Sequence, residues 1–150
     1  MIVKSLDHLN SISKKISNHL SKKDCIFLIG EIGVGKTTFT RNLINNLQEE
    51  KNLKPTEVLS PTFNLLYEYE ISEFKIMHYD LYRIKETKEL THLGIFSEEL
   101  DAVKIVEWPD LIKTPLEDKL EIYLRYSEKE DEREIEFKGE GKWKNFKHEI

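Results

Sequence analysis

The chain has 150 residues, 39% of them apolar, and 23 basic against 28 acidic side chains give a net charge of −5. That length predicts one domain, residues 1–150, with a single core. The acidic balance argues against unaided binding to tRNA or DNA, and the lone Cys25 excludes a disulfide framework and a cysteine zinc site. No apolar run approaches the ~20 residues of a membrane span, and "MIVKSLDHLN" lacks the apolar stretch of a signal peptide, so a cytoplasmic location is expected.

Asp7 is placed to cap a helix whose Leu9, Ile12, Ile16 and Leu20 recur at three- and four-residue spacing. Cys25–Ile29, "CIFLI", is a short continuous apolar run of the kind a central parallel strand needs, and Cys25 reads as one of its small buried residues. After a glycine-rich loop, Phe39, Leu43 and Leu47 mark a second helix over "TTFTRNLINNL". From Phe63 to Ile71 the odd positions Phe63, Leu65, Tyr67, Tyr69 and Ile71 predict one face of a half-exposed strand, with Leu66 as the exception. Ser72-Glu73 turns it into "FKIMHYD", residues 74–80, as a hairpin.

Lys85–Leu93 reads as a helix ended by Gly94, followed by a short turn or helix at Phe96–Leu100. "AVKIV", Ala102–Val106, is another buried strand. Leu120, Ile122, Leu124 and Tyr126 alternate with polar residues, as do Arg133, Ile135 and Phe137, giving a second hairpin around the acidic stretch Glu128–Glu136, read as a solvated turn and edge strand. Gly141 onward predicts a terminal helix with Trp143 and Phe146 inward. The expected fold is α/β of the P-loop NTPase type: a mixed sheet with a parallel centre, antiparallel hairpins and helices on both faces.

Gly30, Glu31, Ile32, Gly33, Val34, Gly35, Lys36 and Thr37 match G-x-x-x-x-G-K-[ST] in full, between a strand and a helix. Glycines reach backbone angles that a Cβ forbids, so the amides up to Thr38 can turn inward around an anion. The helix N-terminus adds partial positive charge. Lys36 would reach the β- and γ-phosphates, and the Thr37 hydroxyl would ligate Mg²⁺. Such a site also needs acids. Asp80 closes "KIMHYD" and Glu107 closes "AVKIVE", at carboxyl strand ends, where open α/β sheets bind ligands. Spacing leaves open which of them holds metal and which acts on water. A hydroxyl in Ser60-Pro61-Thr62-Phe63 could sense a γ-phosphate, and the same segment also reads as a plain turn. His78 reads as a core or supporting histidine rather than a proton carrier. Trp108 either stacks by the site or fills the core, the latter being the simpler reading.

"GEIGVGKTTFTR", "SPTF", "HYDLYR", Leu93-Gly94 and "VEWPD", in that order, resemble the bacterial TsaE (YjeE) ATPase family over essentially the whole chain. "HYDLYR" and "EWP" are the specific part of the resemblance. It implies ATP and Mg²⁺ as cofactors and slow ATP hydrolysis. It implies action on the TsaD–TsaB complex, which modifies adenosine 37 of ANN-decoding tRNAs, so that tRNA is met only through that complex. It also implies phosphate binding by Lys36 and its loop, Mg²⁺ ligation by Thr37 and Glu107, a Walker-B-like acid at Asp80, a switch-like loop at Thr62, Trp108 beside the site, and adenine near Ser5–Asp7. Val34 stands where a smaller residue is usual, and Asp110 where Glu is common. A monomer is expected.

The alternative is a small-molecule P-loop kinase. Such enzymes use an arginine-bearing lid, whereas Arg41, Arg83, Arg125 and Arg133 are scattered here. A GTP switch lacks support, since no Asn-Lys-x-Asp string is present. A non-catalytic, nucleotide-dependent clasp is the remaining reading.

Overall fold

The computed structural model describes residues 1–97 and 101–150. Among these, seven strands form one sheet: β1 (Ile2–Val3), β2 (Cys25–Ile29), β3 (Leu66–Ile71), β4 (Phe74–Asp80), β5 (Ala102–Glu107), β6 (Lys119–Tyr126) and β7 (Arg133–Gly139). Their spatial order is β1-β7-β6-β2-β5-β4-β3. The central strands β6, β2, β5 and β4 run parallel, while β3, β7 and β1 are antiparallel to their neighbours. Three helices, α1 (Leu6–Ser17), α2 (Lys36–Glu50) and α3 (Thr87–His92), complete the layers.

The pleat sorts the core by parity. Ile26 and Leu28 of β2, Ile76 of β4, and Val103 and Ile105 of β5 pack with Leu9, Ile12 and Ile16 of α1 and Phe39, Leu43 and Ile44 of α2. Cys25, Phe27, Met77, Tyr79 and Val106 point the other way, against Leu81, Leu90 of α3 and Ile95. Burying each of these aliphatic side chains contributes about 1.5–3 kcal/mol. The parity has a consequence at the strand ends. His78 and Asp80 share the α2 side with Ile76, and Glu107 shares it with Ile105.

Several boundaries differ from expectation. Ser5, not Asp7, caps α1, its Oγ accepting from the His8 amide at 3.1 Å. Asp7 lies in the first turn, where its charge meets the helix dipole. The first strand of the β3–β4 hairpin begins at Leu66, because Pro61–Leu65 form a turn in which Leu65 is left-handed (φ 68°) and its amide donates to Pro61 O. Phe63 therefore leaves the expected face and stands 81% exposed, with the Arg83 guanidinium 5.4 Å from its ring. β7 is not a bare edge: β1, which a two-residue strand cannot announce by alternation, pairs Ile2 with Glu134 and Val3 with Arg133.

The expected terminal helix is two 3-10 turns, Gly141–Trp143 and Phe146–His148. Spacing of three residues suits a 3-10 turn as well as an α-helix, and Trp143 and Phe146 still meet edge-on with centroids 5.1 Å apart. Gly94 ends the helical stretch at φ +69°, as expected, although α3 is shorter than Lys85–Leu93. Of the turn expected at Phe96–Leu100, residues 98–100 lie outside the described residues. Cys25 is free and buried, as read.

Candidate functional site

The loop between β2 and α2 opens into a cleft of about 310 Å³. Gly33 (φ +76°) and Gly35 (φ +119°) carry the loop through left-handed backbone angles. No side chain caps α2, whose N-cap is Gly35 itself. Its first helical hydrogen bond runs from Phe39 N to Gly35 O at 2.9 Å. The amides of Lys36, Thr37 and Thr38 precede that bond and point out of the helix end, the arrangement that receives an anion.

Lys36, only 5% exposed, curls back: its Nζ donates to Gly30 O at 2.6 Å and Glu31 O at 2.8 Å, 4.2 Å from the centre of a Trp108 ring. Burial pushes the Lys36 amine below the ordinary lysine value, while Glu107 and Asp80 pull it back up. Trp108 is held in a left-handed conformation (φ 58°) with its ring 4.9 Å from that of Tyr82. It does both things read from the sequence: it lines the cleft and, half-buried, packs against the second core cluster.

The two acids arrive together because β4 and β5 pair in parallel with Asp80 opposite Glu107. Glu107 also lies in register with Leu28 at the end of β2. Thr37 Oγ1 is 3.2 and 3.3 Å from the two carboxylate oxygens of Glu107. His78, wholly buried, places Nε2 2.6 Å from Glu107 Oε2, so the histidine read from sequence as supporting does orient an acid. Asp80 is engaged differently: Oδ1 accepts from the Tyr82 amide at 2.9 Å and Oδ2 from Thr62 Oγ1 at 2.9 Å. Ser60 Oγ lies 2.8 Å from Thr62 Oγ1, so the Ser60–Thr62 segment is fastened to the end of β4.

The structure thus brings Ile32, Gly33, Gly35, Lys36, Thr37, Thr38, Thr62, Asp80, Glu107 and Trp108 to one cleft. Two loop positions face elsewhere. Val34 is buried in the core, and Glu31 lines a separate cleft with Asp110 and Arg125, offering the main cleft only its carbonyl bond to Lys36. Tyr82, which also lines the cleft, was not singled out from sequence; its place two residues beyond a strand-end acid was the available signal.

The donor chemistry fits a triphosphate and Mg²⁺. Main-chain amides and a lysine suit phosphate oxygens, and a hydroxyl beside a carboxylate supplies hard oxygen donors. Among the described residues no group of three His, Cys, Asp or Glu forms a metal cage. Mg²⁺ does not need one, since it is commonly held by one or two carboxylates together with phosphates and water.

Strand, glycine loop and helix, set in a sheet with a parallel core, define a P-loop protein. The family model described as "Threonylcarbamoyl adenosine biosynthesis protein TsaE" matches residues 3–135. The chain belongs to the TsaE family. The TsaE protein of Rickettsia felis is 38% identical over 114 residues, covering 75% of this chain and 64% of that protein. That of Bacillus subtilis is 30% identical over 136 residues, covering 90% and 82%. The crystal structure of Bacillus subtilis YdiB superimposes with a TM-score of 0.71 at 27% identity, covering 99% of this chain and 90% of that one. The match spans somewhat under two thirds of the Rickettsia felis and Rickettsia conorii relatives, 64% and 60%. No helix among the described residues is long and apolar enough to cross a membrane.

Proposed function

We propose that the chain binds Mg²⁺–ATP in this cleft and hydrolyses it in the cytoplasm to serve a TsaD–TsaB pair that installs threonylcarbamoyladenosine at position 37 of tRNA. The observation that carries the ATPase reading is the meeting of Thr37 and Glu107, 3.2 Å apart, at the mouth of an uncapped helix that begins with Lys36. The pathway reading comes from the family.

In this reading the loop amides from Ile32 to Thr38 receive the phosphates, apart from that of Val34, which donates to Glu31 O at 3.3 Å. Lys36 exchanges the carbonyls of Gly30 and Glu31 for phosphate oxygens, a short swing for a flexible amine already in place. Thr37 and Glu107 hold Mg²⁺, and His78 fixes the Glu107 carboxylate. When bound, the metal offsets charge on the β- and γ-phosphates. Asp80 and Thr62, hydrogen-bonded across 2.9 Å, orient the attacking water. Trp108 and Tyr82 screen the reacting end from bulk solvent. The chain's net charge of −5 suits a protein that meets tRNA only through TsaD and TsaB.

The geometry does not favour a small-molecule kinase, because no arginine lines the cleft. Arg41 donates to Val58 O, Arg83 lies over Phe63, Arg125 pairs with Glu136, and Arg133 binds main-chain carbonyls.

The test is ATP turnover with and without TsaD–TsaB and substrate tRNA. Slow turnover alone, raised by the complex, is expected. Fast turnover indifferent to the complex, or stoichiometric phosphoryl transfer to a metabolite, would refute the reading. Glu107→Gln should retain ATP binding and lower turnover ~10²-fold, the scale of one charge-stabilising group.

A further inference from the structure

The phosphate loop is braced from behind by the β6–β7 hairpin. Tyr126, the last residue of β6, donates its Oη to Ile32 O at 2.9 Å. Arg133, the first of β7, donates Nε to Val34 O at 3.1 Å. The two side chains come from directly paired residues, and the guanidinium lies 4.7 Å from the tyrosine ring. Arg133 Nη1 also donates to the carbonyls of Glu130 and Glu132, at 2.7 and 2.8 Å, which anchors the guanidinium in its own turn. Each of the two loop carbonyls immediately precedes a left-handed glycine, Gly33 and Gly35, and a Cβ built on Gly33 would lie 3.2 Å from Tyr126 Oη.

A nest of inward amides requires the intervening carbonyls to turn outward. Around a glycine, which tolerates both signs of φ, those peptides are free to flip and to carry the amides away from the anion. A fixed donor on each outward carbonyl opposes the flip. We infer that Tyr126 and Arg133 are positioning residues, holding the Ile32–Gly33 and Val34–Gly35 peptides in the anion-binding arrangement, so that the β6–β7 hairpin sets affinity for the polyphosphate. The inference rests on the phosphate-cleft reading above. It adds two residues 94 and 99 positions distant in sequence from their partners.

The test uses the full chain and two probes, Mg²⁺–ATP and Mg²⁺–tripolyphosphate, with Tyr126→Phe, Arg133→Met, Arg133→Lys and Lys36→Ala. Tyr126 is 44% exposed, so loss of its hydroxyl leaves the core intact. For Tyr126→Phe, Kd is expected to rise about two- to tenfold, and for Arg133→Met about ten- to a hundredfold, the scales of a neutral and a charge-assisted hydrogen bond. The factor should be the same for both probes, because the defect lies in the phosphate cradle, and turnover at saturating ATP should hold within about twofold. Arg133→Lys, lacking the planar Nε donor, should behave like Arg133→Met.

Wild-type affinity in Tyr126→Phe and Arg133→Met, with Lys36→Ala defective, would overturn the bracing role alone. So would full rescue by Arg133→Lys, or a loss confined to ATP. Wild-type affinity in Lys36→Ala as well would overturn the cleft reading and the brace with it.

Discussion

Replacing Gly35 by alanine separates the backbone demand of the phosphate loop from its packing. Gly35 sits at φ +119°, ψ 18°, and a Cβ added there would meet no atom within 4 Å. The penalty is therefore conformational. A non-glycine residue in so sparsely populated a region costs about 1–3 kcal/mol, offset by the ~0.4–1 kcal/mol that alanine gains by restricting the unfolded chain. Up to about 2.6 kcal/mol of net folding cost remains, with about 1.3 kcal/mol at mid-range. If the loop keeps its shape, the cost is seen in the urea midpoint and nucleotide affinity is unchanged. If the free loop relaxes, stability is spared and binding must restore the whole strain of about 1–3 kcal/mol, raising Kd for ATP about 5- to 150-fold. Denaturation and calorimetric titration on the same sample should share that total. Gly94→Ala is the control: its φ is +69°, again with nothing within 4 Å, but it lies after α3. It should lose stability alone. Unchanged stability together with unchanged affinity in Gly35→Ala would refute the reasoning.

Burial pushes the Cys25 thiol up to about 12 from an ordinary 9.0, so its thiolate fraction near pH 8 falls about a thousandfold. Alkylation by iodoacetamide should proceed only through unfolding, and native labelling at the rate of an unstructured peptide would contradict its burial. Asp24, 1% exposed and 2.5 Å from Lys142 Nζ, has its carboxyl raised above 3.8, chiefly by burial and against the pull of Lys142. The folded state thus holds that proton more tightly than the unfolded state. Its stability contribution is full below pH 3.8 and is lost as pH rises through the folded value. The Tm of wild type relative to Asp24→Asn should therefore fall as pH rises above 3.8, and a rise would contradict the sign.

The glycine loop was legible because its signal is local: spacing of glycines, then lysine and threonine, between an apolar run and a helical stripe. Asp80 and Glu107 were legible as strand ends. Their different surroundings were not legible from spacing, because the fold decides which groups reach each carboxylate: Thr37 and His78 reach Glu107, Thr62 and the Tyr82 amide reach Asp80. Trp108 reads most simply as core, and it does pack there, but its place beside Lys36 depends on a φ of 58° that the sequence does not show. Leu65's left-handed turn hid the true start of the β3–β4 hairpin in the same way. Tyr126 and Arg133 showed only strand alternation. Their second role, across the sheet to Ile32 and Val34, exists only once β6 lies beside β2.

The most direct measurement is tryptophan emission during titration with Mg²⁺–ATP. Lys36 Nζ lies 4.2 Å from the centre of a Trp108 ring, whereas Trp143 is buried beside Phe146. Phosphate drawing Lys36 away must change Trp108 emission saturably in wild type, and not in Trp108→Phe or Lys36→Ala. A saturable change of equal size in Lys36→Ala, or calorimetric binding unaffected by that substitution, would place the nucleotide somewhere other than the loop that begins at Gly30.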